Sequence, residues 1–210
     1  MADNHKRIER IYREEGLQVR SRKRKRTCKS IRIRTVEVPT RPNERWSMDF
    51  VHDWLAFGRR IRCLTIVDDF TRECLHIEVA PSMSGERVAR VLDYLAFTRG
   101  LPEEIVVDNG AEFSSLVMDR WAHEKGVNLH FIEPGKPVQN AYIESFNGKF
   151  RDECLNEHWF TDLSDAKRLI EAWRIDYNTF RPHSSLGDLT PEKFAARHAK
   201  EKSMILSAAE

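Results

Sequence analysis

The order of apolar patterns along the chain is the feature that most constrains its fold. Strand-like patterns occur at 46–53, 61–69, 75–79, 104–108 and 127–132. Helix-like patterns occur at 84–98, 112–124, 139–155 and 164–178, with a short helix after Pro191. Three consecutive strands followed by alternating strands and helices predict an α/β fold, in which helices flank both faces of a mixed five-stranded sheet.

Two of these strands have patterns that predict their places in the sheet. The segment IRCLTIVDD (61–69) carries apolar residues at both parities, which predicts a strand buried on both faces. The segment LHIEV (75–79) alternates instead, and its pattern places Leu75, Ile77 and Val79 on one face. We therefore expect the second of these strands at an edge of the sheet.

Basic and acidic residues are unevenly distributed, although the net charge is only +2. The first 41 residues contain 14 of the 35 Lys and Arg residues and 5 of the 33 Asp and Glu residues. A segment as basic as RSRKRKRTCKSIRIR (20–34) attracts polyanions through counterion release. A solvated basic tail with no dedicated partner is the alternative interpretation. The residues predicted to contact DNA in this segment are Arg22, Lys23, Arg24, Lys25 and Arg26.

The chain of 210 residues is long enough for one well-packed domain and a tail. Residues 1–42 are interpreted as a basic helix and linker, residues 43–198 as the compact domain, and residues 199–210 as a C-terminal tail. No apolar run approaches the roughly 18–20 residues that a membrane span needs. Four scattered cysteines without a CxxC pair favour free thiols in a reducing cytosol, so we expect a cytoplasmic protein.

Two acidic residues on the predicted strands are candidates for a functional site. Asp49 lies in the middle of the first strand among apolar neighbours, where a free acid fits poorly. Asp108 ends a short buried strand, and ligands bind at the carboxyl ends of strands in such sheets. The residues alone leave alternatives open, because Asp53 has the strand parity of Asp49 and an acid before Asn-Gly is often a turn residue. Asp68 and Asp69 are interpreted as hairpin residues.

A third acid, Glu144, lies on the helical part of GKPVQNAYIESFNGKF (135–150). The apolar stripe that this helix would pack on the sheet consists of Ile143, Phe146, Phe150 and Cys154. The neighbouring stripe consists of Asn140, Glu144, Asn147 and Arg151. Glu144 is therefore expected at the margin of the packed face, within reach of the two aspartates, although a glutamate on such a helix is also compatible with an ordinary solvated position.

Convergence of three carboxylates would indicate a particular chemistry. Carboxylates that meet at one point repel one another and raise each other's pKa unless a cation is bound. Mg²⁺ prefers oxygen ligands, and phosphoryl transfer with two metal ions uses such ions about 3.5–4 Å apart. The three acids therefore predict a site for two Mg²⁺ or Mn²⁺ ions, provided that they meet in space.

Six motifs spread over roughly 43–198 are distinctive in combination. They are RWSMDFVHD, LTIVDDFTRECL, SGERVARVLD, VVDNGAEF, HFIEPGKPVQNAYIESFNGKFRDECLNEHWF and DYNTFRPHSSLGDLTPEKF. Together they resemble the integrase-core transposases, and more closely the protein encoded by the second reading frame of bacterial insertion-sequence-three family elements. The resemblance implies a ribonuclease-H-like fold, similar to that of retroviral integrases. It also implies a catalytic, metal-binding triad of Asp49, Asp108 and Glu144, because the family has 35 residues between its second Asp and its Glu and this chain has the same number.

The resemblance further implies activity on DNA. Such proteins bind the terminal inverted repeats of their element, cleave one strand to free a 3′-hydroxyl, and use that hydroxyl to attack another phosphodiester. The implied partners are double-stranded DNA, further copies of the chain on DNA and the first-reading-frame protein, in association with a bacterial nucleoid. The residues predicted to position phosphates are Lys136, Gln139, Asn140, Lys149 and Arg151. A solvated polar helix face is the alternative for this set.

Two features depart from the family pattern. Ala111 stands where the family usually has a proline after Asp-Asn-Gly. The segment HKRIERIYREEGLQVRSRKRKR resembles only the end of the family's helix-turn-helix-like region, so we expect the chain to be N-terminally short. A truncated, non-catalytic DNA-binding regulator of transposition is therefore an alternative function, and a related ribonuclease-H-like nuclease is another.

Overall fold

Five strands form one mixed sheet in this computed structural model, which describes residues 38–133 and 140–207 together with Glu14, and side chains as far as Lys200. The strands are β1 (Arg45–Trp54), β2 (Arg60–Asp68), β3 (Cys74–Ala80), β4 (Glu104–Val107) and β5 (Asn128–Phe131). Their order in the sheet is β3-β2-β1-β4-β5. The three-strand meander is antiparallel, whereas β4 pairs in parallel with both β1 and β5. The mixed five-stranded sheet and the edge position of β3 are thereby confirmed.

The helices follow the predicted order. They are α1 (Gly85–Arg99), α2 (Leu116–Lys125), α3 (Ala141–Phe150), α4 (Leu163–Thr179) and α5 (Pro191–Ser207). Side-chain caps fix three of the helix starts, because Ser84, Ser115 and Asp162 each accept a hydrogen bond from the backbone N–H three residues later. The last helix is longer than expected, and the predicted boundary between domain and tail at 198–199 falls inside it.

The sheet separates two apolar layers, which explains the predicted double burial of the central strands. On one side, Trp46 and Met48 of β1 pack with α1 and α2. On the other side, Val51 of β1 packs with Cys63 of β2 and with α3 and α4. Because successive residues of a strand point to opposite faces, Asp49 shares the face of Val51 and therefore points to the side of α3.

Several tryptophan and cysteine side chains are buried. Trp46, Trp121 and Trp173 are buried in the core. The thiols of Cys63, Cys74 and Cys154 are free and buried. Cys28 lies outside the described residues. In the described part of the chain, no helix has both the length and the apolar character needed to cross a membrane.

Contacts divide the chain into two units, Met1–Val36 and Glu37–Glu210. All the strands and helices given above belong to the second unit. The predicted DNA-contact residues of the basic segment, Arg22 to Arg26, lie in the first unit and outside the described residues. Lys136 and Gln139 belong to the second unit but also lie outside the described residues.

Candidate active site

The register of the parallel strands brings the two candidate aspartates side by side. Ser47 of β1 is the pairing partner of Val106 of β4. Asp49 lies two residues after Ser47, and Asp108 lies two residues after Val106. Both therefore occupy the same level of the sheet, where β4 has just ended and β1 continues, and they share one face because side chains two residues apart point the same way.

Asp49 is held by two hydrogen bonds in a half-buried position. Its Oδ1 accepts from the backbone N–H of Phe50 at 2.7 Å, and its Oδ2 accepts from Nδ2 of Asn147 at 2.8 Å. Burial raises the pKa of Asp49, and the negative charges of Asp108 and Glu144 raise it further, against the opposing effect of the two hydrogen bonds. Carboxylates from two other segments of the chain thus act electrostatically on Asp49.

The loop that follows Asp108 holds this aspartate in place. The backbone N–H of Gly110 donates to Oδ1 of Asp108 at 2.9 Å, and a Cβ atom at position 110 would lie only 2.8 Å from that oxygen. Asn109 ties the loop to the end of β5 by donating from Nδ2 to the carbonyl oxygen of Ile132 at 2.8 Å. Farther along, Phe113 is fully buried in the core. The DNGAEF motif is therefore a turn anchored at both ends.

A cluster of aromatic and charged side chains also fixes this loop. The rings of Phe50 and Phe113 stack with centroids 4.7 Å apart. The guanidinium carbon of Arg62 lies 4.3 Å from the centroid of Phe50, and Arg62 forms an ion pair with Glu112. The pairing with Arg62 holds the pKa of Glu112 below its usual value. Glu112 is therefore engaged in a structural ion pair with Arg62 beside Asp108.

Helix α3 places Glu144 next to the sheet. Its apolar stripe of Ile143, Phe146 and Phe150 is buried, and Cys154 continues it into a π-helical turn, Arg151–Leu155. These residues pack on the sheet face to which Asp49 belongs. Glu144 itself is exposed, one helical turn before Asn147 on the neighbouring stripe. The predicted arrangement of stripes on this helix is confirmed.

Asn147 and Thr65 connect α3 to the strand that carries Asp49. Thr65 faces Asp49 across the β1–β2 pairing, and its hydroxyl lies 2.9 Å from Oδ1 of Asn147 and 3.1 Å from the carbonyl oxygen of Asp49. Asn147 is 7% exposed, so its amide is engaged in hydrogen bonds within the protein. The sequence contained a signal for both residues, because a threonine in an apolar strand and an asparagine three residues after Glu144 are each unusual where they stand.

The other acids of the predicted hairpin have structural partners. Asp68 accepts from the backbone N–H groups of Asn43, Phe70 and Thr71, and Asp69 pairs with Arg45 at 2.6 Å. This confirms their interpretation as turn residues. Asp53 lies four residues beyond Asp49 on the same face, and the charge that acts on it is that of Arg151.

The predicted DNA contacts on α3 and just after it differ in exposure. Lys149 and Arg151 are exposed. Asn140, in contrast, is 3% exposed, so a phosphate cannot reach its amide in this arrangement. Within the described ranges, no group of three His, Cys, Asp or Glu side chains is arranged closely enough to hold a metal ion. The three carboxylates are therefore electrostatic neighbours without a ready-made ligand geometry.

Comparison with solved structures shows the same fold. The HTLV-2 integrase catalytic core domain, solved in complex with magnesium, aligns with a TM-score of 0.59 at 17% sequence identity. The alignment covers 74% of this chain and 97% of that domain. The predicted ribonuclease-H-like, retroviral-integrase-like fold is confirmed by this likeness.

Sequence comparison identifies the family. Two integrase core domain models match, one at residues 39–137 and the other at residues 125–191. A protein of insertion element IS407 from Burkholderia multivorans is 57% identical over 195 residues, covering 93% of this chain and 70% of that protein. The transposase InsF for insertion sequence IS3A from Escherichia coli is 26% identical over 163 residues, covering 73% of this chain and 54% of InsF. The chain therefore belongs to the integrase core family, among the insertion-sequence-three transposases of the second-reading-frame type.

Proposed function

We propose that this chain is the catalytic core of a DNA transposase, which cleaves DNA strands at the ends of an insertion element and joins them to a target. The observation that carries the proposal is the convergence on Asp49 of Asp108, at the same level of the adjacent strand, and of Glu144, whose charges both act on the Asp49 carboxylate. Family membership supports the same conclusion, since the matched models describe integrase cores. Asp49, Asp108 and Glu144 are the proposed catalytic residues.

The donor set of this site fits a divalent cation. All three side chains end in carboxylate oxygens, which are the ligands that Mg²⁺ and Mn²⁺ prefer. Burial and the repulsion of Asp108 and Glu144 raise the pKa of Asp49, and a positive charge among the three groups would relieve that repulsion. When bound, a pair of such ions would make the attacking oxygen more nucleophilic and would stabilise the leaving oxygen. We propose that the three carboxylates hold these ions.

The residues of the chain would position the reacting groups. In the cleavage step, a water oxygen loses a proton and forms a bond to phosphorus, the bond from phosphorus to the 3′-oxygen breaks, and the 3′-oxygen takes up a proton. In the joining step, that 3′-hydroxyl loses its proton and its oxygen forms a bond to a phosphorus of the target, the bond from this phosphorus to the 3′-oxygen of the target strand breaks, and the released oxygen takes up a proton. In-line transfers of this kind depend on positioning and charge stabilisation. Asn147 and the Asp108–Gly110 turn hold two of the carboxylates for this purpose.

The proposed partner is double-stranded DNA, with further copies of the chain assembled on it. Lys149 and Arg151 are exposed cations on the edge of α3 and in the turn after it, which suits contacts to backbone phosphates. The basic segment from Arg22 to Arg26, together with Lys136 and Gln139, remains predicted to contribute further contacts. A contribution from the first-reading-frame protein is part of the same proposal.

A strand-joining assay tests the proposal. Labelled duplexes carrying the ends of the element are incubated with target DNA and Mg²⁺ or Mn²⁺, and joined products are resolved by length. A second substrate is a branched duplex that resembles the joined product, since phosphoryl transfer is reversible and this substrate bypasses recognition of the ends. We expect joining or its reversal with the unsubstituted protein and none with Glu144→Gln.

The matched control is Glu124→Gln, which removes an exposed glutamate from α2 on the opposite side of the sheet. This variant is expected to join DNA at the rate of the unsubstituted protein. Binding without cleavage of either substrate would identify a regulator instead of an enzyme. Hydrolysis without joining would identify a nuclease.

A further inference from the structure

A basic pocket lies beside α3, on the flank of the helix away from Glu144. Its volume is about 240 Å³. The polar residues that line it are Arg72, Tyr142, Ser145, Lys149, Tyr177, His183 and Ser185. Among the described residues no carboxylate lines it, so two cations, four hydroxyls and an imidazole surround the space. Such a combination of donors is suited to an anion with several oxygen atoms.

Arg72 contributes a buried guanidinium nitrogen to this pocket. Its guanidinium carbon lies 3.6 Å from the ring centroid of Tyr142, which holds the side chain against α3. Its Nη1 is buried and has no hydrogen-bond partner among the described residues. Asp69 lies within electrostatic reach, but this carboxylate forms its ion pair with Arg45. A buried donor without an acceptor is costly, and a bound anion would remove that cost.

Arg72 also has an uncommon backbone conformation. Its φ is 61°, in the left-handed region that a long side chain seldom adopts. The residue lies in the turn between β2 and β3, and its backbone N–H donates to the carbonyl oxygen of Asp68 at 2.9 Å. Uncommon backbone conformations of this kind occur more often at functional sites. The side chain of Arg72 lies against Tyr142 and lines the pocket.

The pKa of His183 reflects the positive charges around the same pocket. Burial, and after it the charges of Lys149, Arg72 and Arg181, lower the pKa of His183 to about 4. The ring packs edge-on against Tyr177 of α4, with centroids 5.0 Å apart. At neutral pH the imidazole is therefore uncharged and can donate one hydrogen bond. A bound anion would oppose the three cations and raise this pKa.

Helix α3 connects this pocket to the carboxylates. Its buried stripe has the Glu144 stripe on one flank and the stripe of Tyr142, Ser145 and Lys149 on the other. The exposed crest between the two flanks includes Gly148, where no other described residue lies within 4 Å of the position that a Cβ atom would occupy. A helix with its side chains is about 10–12 Å across, which a few nucleotides can span. A strand held at the carboxylates can thus cross the crest and reach the pocket.

We propose that this pocket binds a backbone phosphate of the DNA strand whose reacting phosphodiester lies at Asp49, Asp108 and Glu144. The proposal rests on the proposed transposase function and adds an anchoring site a few nucleotides from the reaction. Arg72 and Lys149 neutralise the phosphate, and the hydroxyls and His183 complete its hydrogen bonds. The polar groups that line the pocket are suited to a phosphate, so its proposed role is to position the strand and not to read a base.

The test is the salt dependence of DNA binding. Affinity of the full chain for a labelled duplex is measured between 50 and about 200 mM salt, the range in which counterion release is readily resolved. We expect Arg72→Gln and Lys149→Gln each to reduce the slope of log affinity against log salt by about 1. Arg120→Gln, an exposed arginine on α2 across the sheet, is the control and should leave the slope unchanged.

Folding is checked by thermal unfolding of each variant. Lys149 is exposed, so Lys149→Gln keeps the test valid if Arg72→Gln unfolds. If the unsubstituted protein binds no DNA, the proposed function fails and the pocket proposal fails with it. If it binds DNA and both variants keep the slope of the control, only the pocket proposal is overturned.

A second measurement separates DNA from free phosphate. The pKa of His183 is followed by NMR with a short single-stranded oligonucleotide and, separately, with inorganic phosphate. We expect the oligonucleotide to raise this pKa from about 4, and Arg72→Gln to abolish the increase. An increase with inorganic phosphate alone would identify a site for a small anion and overturn the DNA assignment.

Discussion

Nδ2 of Asn147 lies 2.8 Å from Oδ2 of Asp49, so a side chain of α3 directly orients a carboxylate of the central strand. The same asparagine is joined to Thr65 through its Oδ1. This pair of contacts links the position of α3, and hence of Glu144, to the position of Asp49. A change at either residue is therefore expected to affect the whole candidate site.

The first prediction concerns Asn147→Ala. Removing the amide frees Asp49 and should lower the rate of joining by about 10- to 100-fold, as for other groups that orient metal ligands. The rate should recover in part as the Mn²⁺ concentration is raised, because the loss lies in holding the ligand. Thr65→Val should lower the rate of joining less, since it leaves the Asn147–Asp49 hydrogen bond in place. A loss that no Mn²⁺ concentration relieves would show that Asn147 acts only on the fold.

The second prediction concerns Gly110→Ala. The new methyl carbon would lie 2.8 Å from Oδ1 of Asp108, so the carboxylate has to turn away. We expect at least a 10-fold loss of joining with little change in the free energy of unfolding, because the displaced atom belongs to a flexible side chain. Ala111→Pro, one residue later, is the matched substitution that leaves this contact alone. Normal activity of Gly110→Ala would show that the turn does not set the orientation of Asp108.

The third prediction concerns Glu78 at the edge of the sheet. Hydrogen bonds from His76 and Arg87, together with their charges, hold the pKa of Glu78 at about 2, below the ordinary value of 4.5. Because the folded-state pKa is depressed, its contribution to stability is present above pH 4.5 and is lost as the pH falls toward 2. The difference in unfolding free energy between the unsubstituted protein and Glu78→Gln should therefore shrink over that interval. Urea unfolding at several pH values measures it, and a difference independent of pH would contradict the assignment.

The fourth prediction concerns Gly148 on the exposed crest of α3. A Cβ there would meet nothing within 4 Å, and glycine within a helix is unfavourable relative to alanine. Gly148→Ala should therefore raise the free energy of unfolding by about 0.5–1 kcal/mol. Gly126→Ala is the opposite control, since its φ of 68° disfavours a side chain and should make it destabilising. A loss of stability in Gly148→Ala would mean that the glycine is needed by the fold itself.

Periodicity predicted the elements of this fold well, for a physical reason. The stripe of Ile143, Phe146 and Phe150 follows from helical geometry alone, and all three side chains are buried. The double burial of β2 likewise follows from apolar residues at both parities. In these elements the local pattern and the tertiary packing agree.

Local deviations from regular secondary structure could not be predicted from periodicity. The pairing of β2 with β3 shifts register at Ile66 and Val67, and Leu75 packs with the opposite layer from Ile77 and Val79. The prediction that these three residues share a face was therefore wrong for Leu75. Helix α2 begins four residues later than expected, because the N–H groups of Phe113 and Ser114 close a turn on the carbonyl oxygen of Gly110. Bulges and turns of this kind depend on partners that are distant in the sequence or are single backbone contacts.

The candidate site could likewise be predicted from the sequence only in part. The sequence provided Asp49, Asp108 and Glu144, partly through their chemistry and partly through the resemblance to a family. It could not show that Asn147 would turn its amide to Asp49, since that contact joins residues 98 positions apart. It also placed Asn140 among the DNA contacts, whereas burial removes this amide from solvent.

The most direct test of the central claim is a crystal of the protein soaked in Mn²⁺, with the ions located by their anomalous scattering. The account predicts two peaks among the carboxylates of Asp49, Asp108 and Glu144, about 3.5–4 Å apart. Asp49→Asn should weaken or remove both peaks without altering the sheet. Peaks bound elsewhere, or a Glu144 carboxylate that stays remote from both aspartates with ions present, would contradict the proposed site.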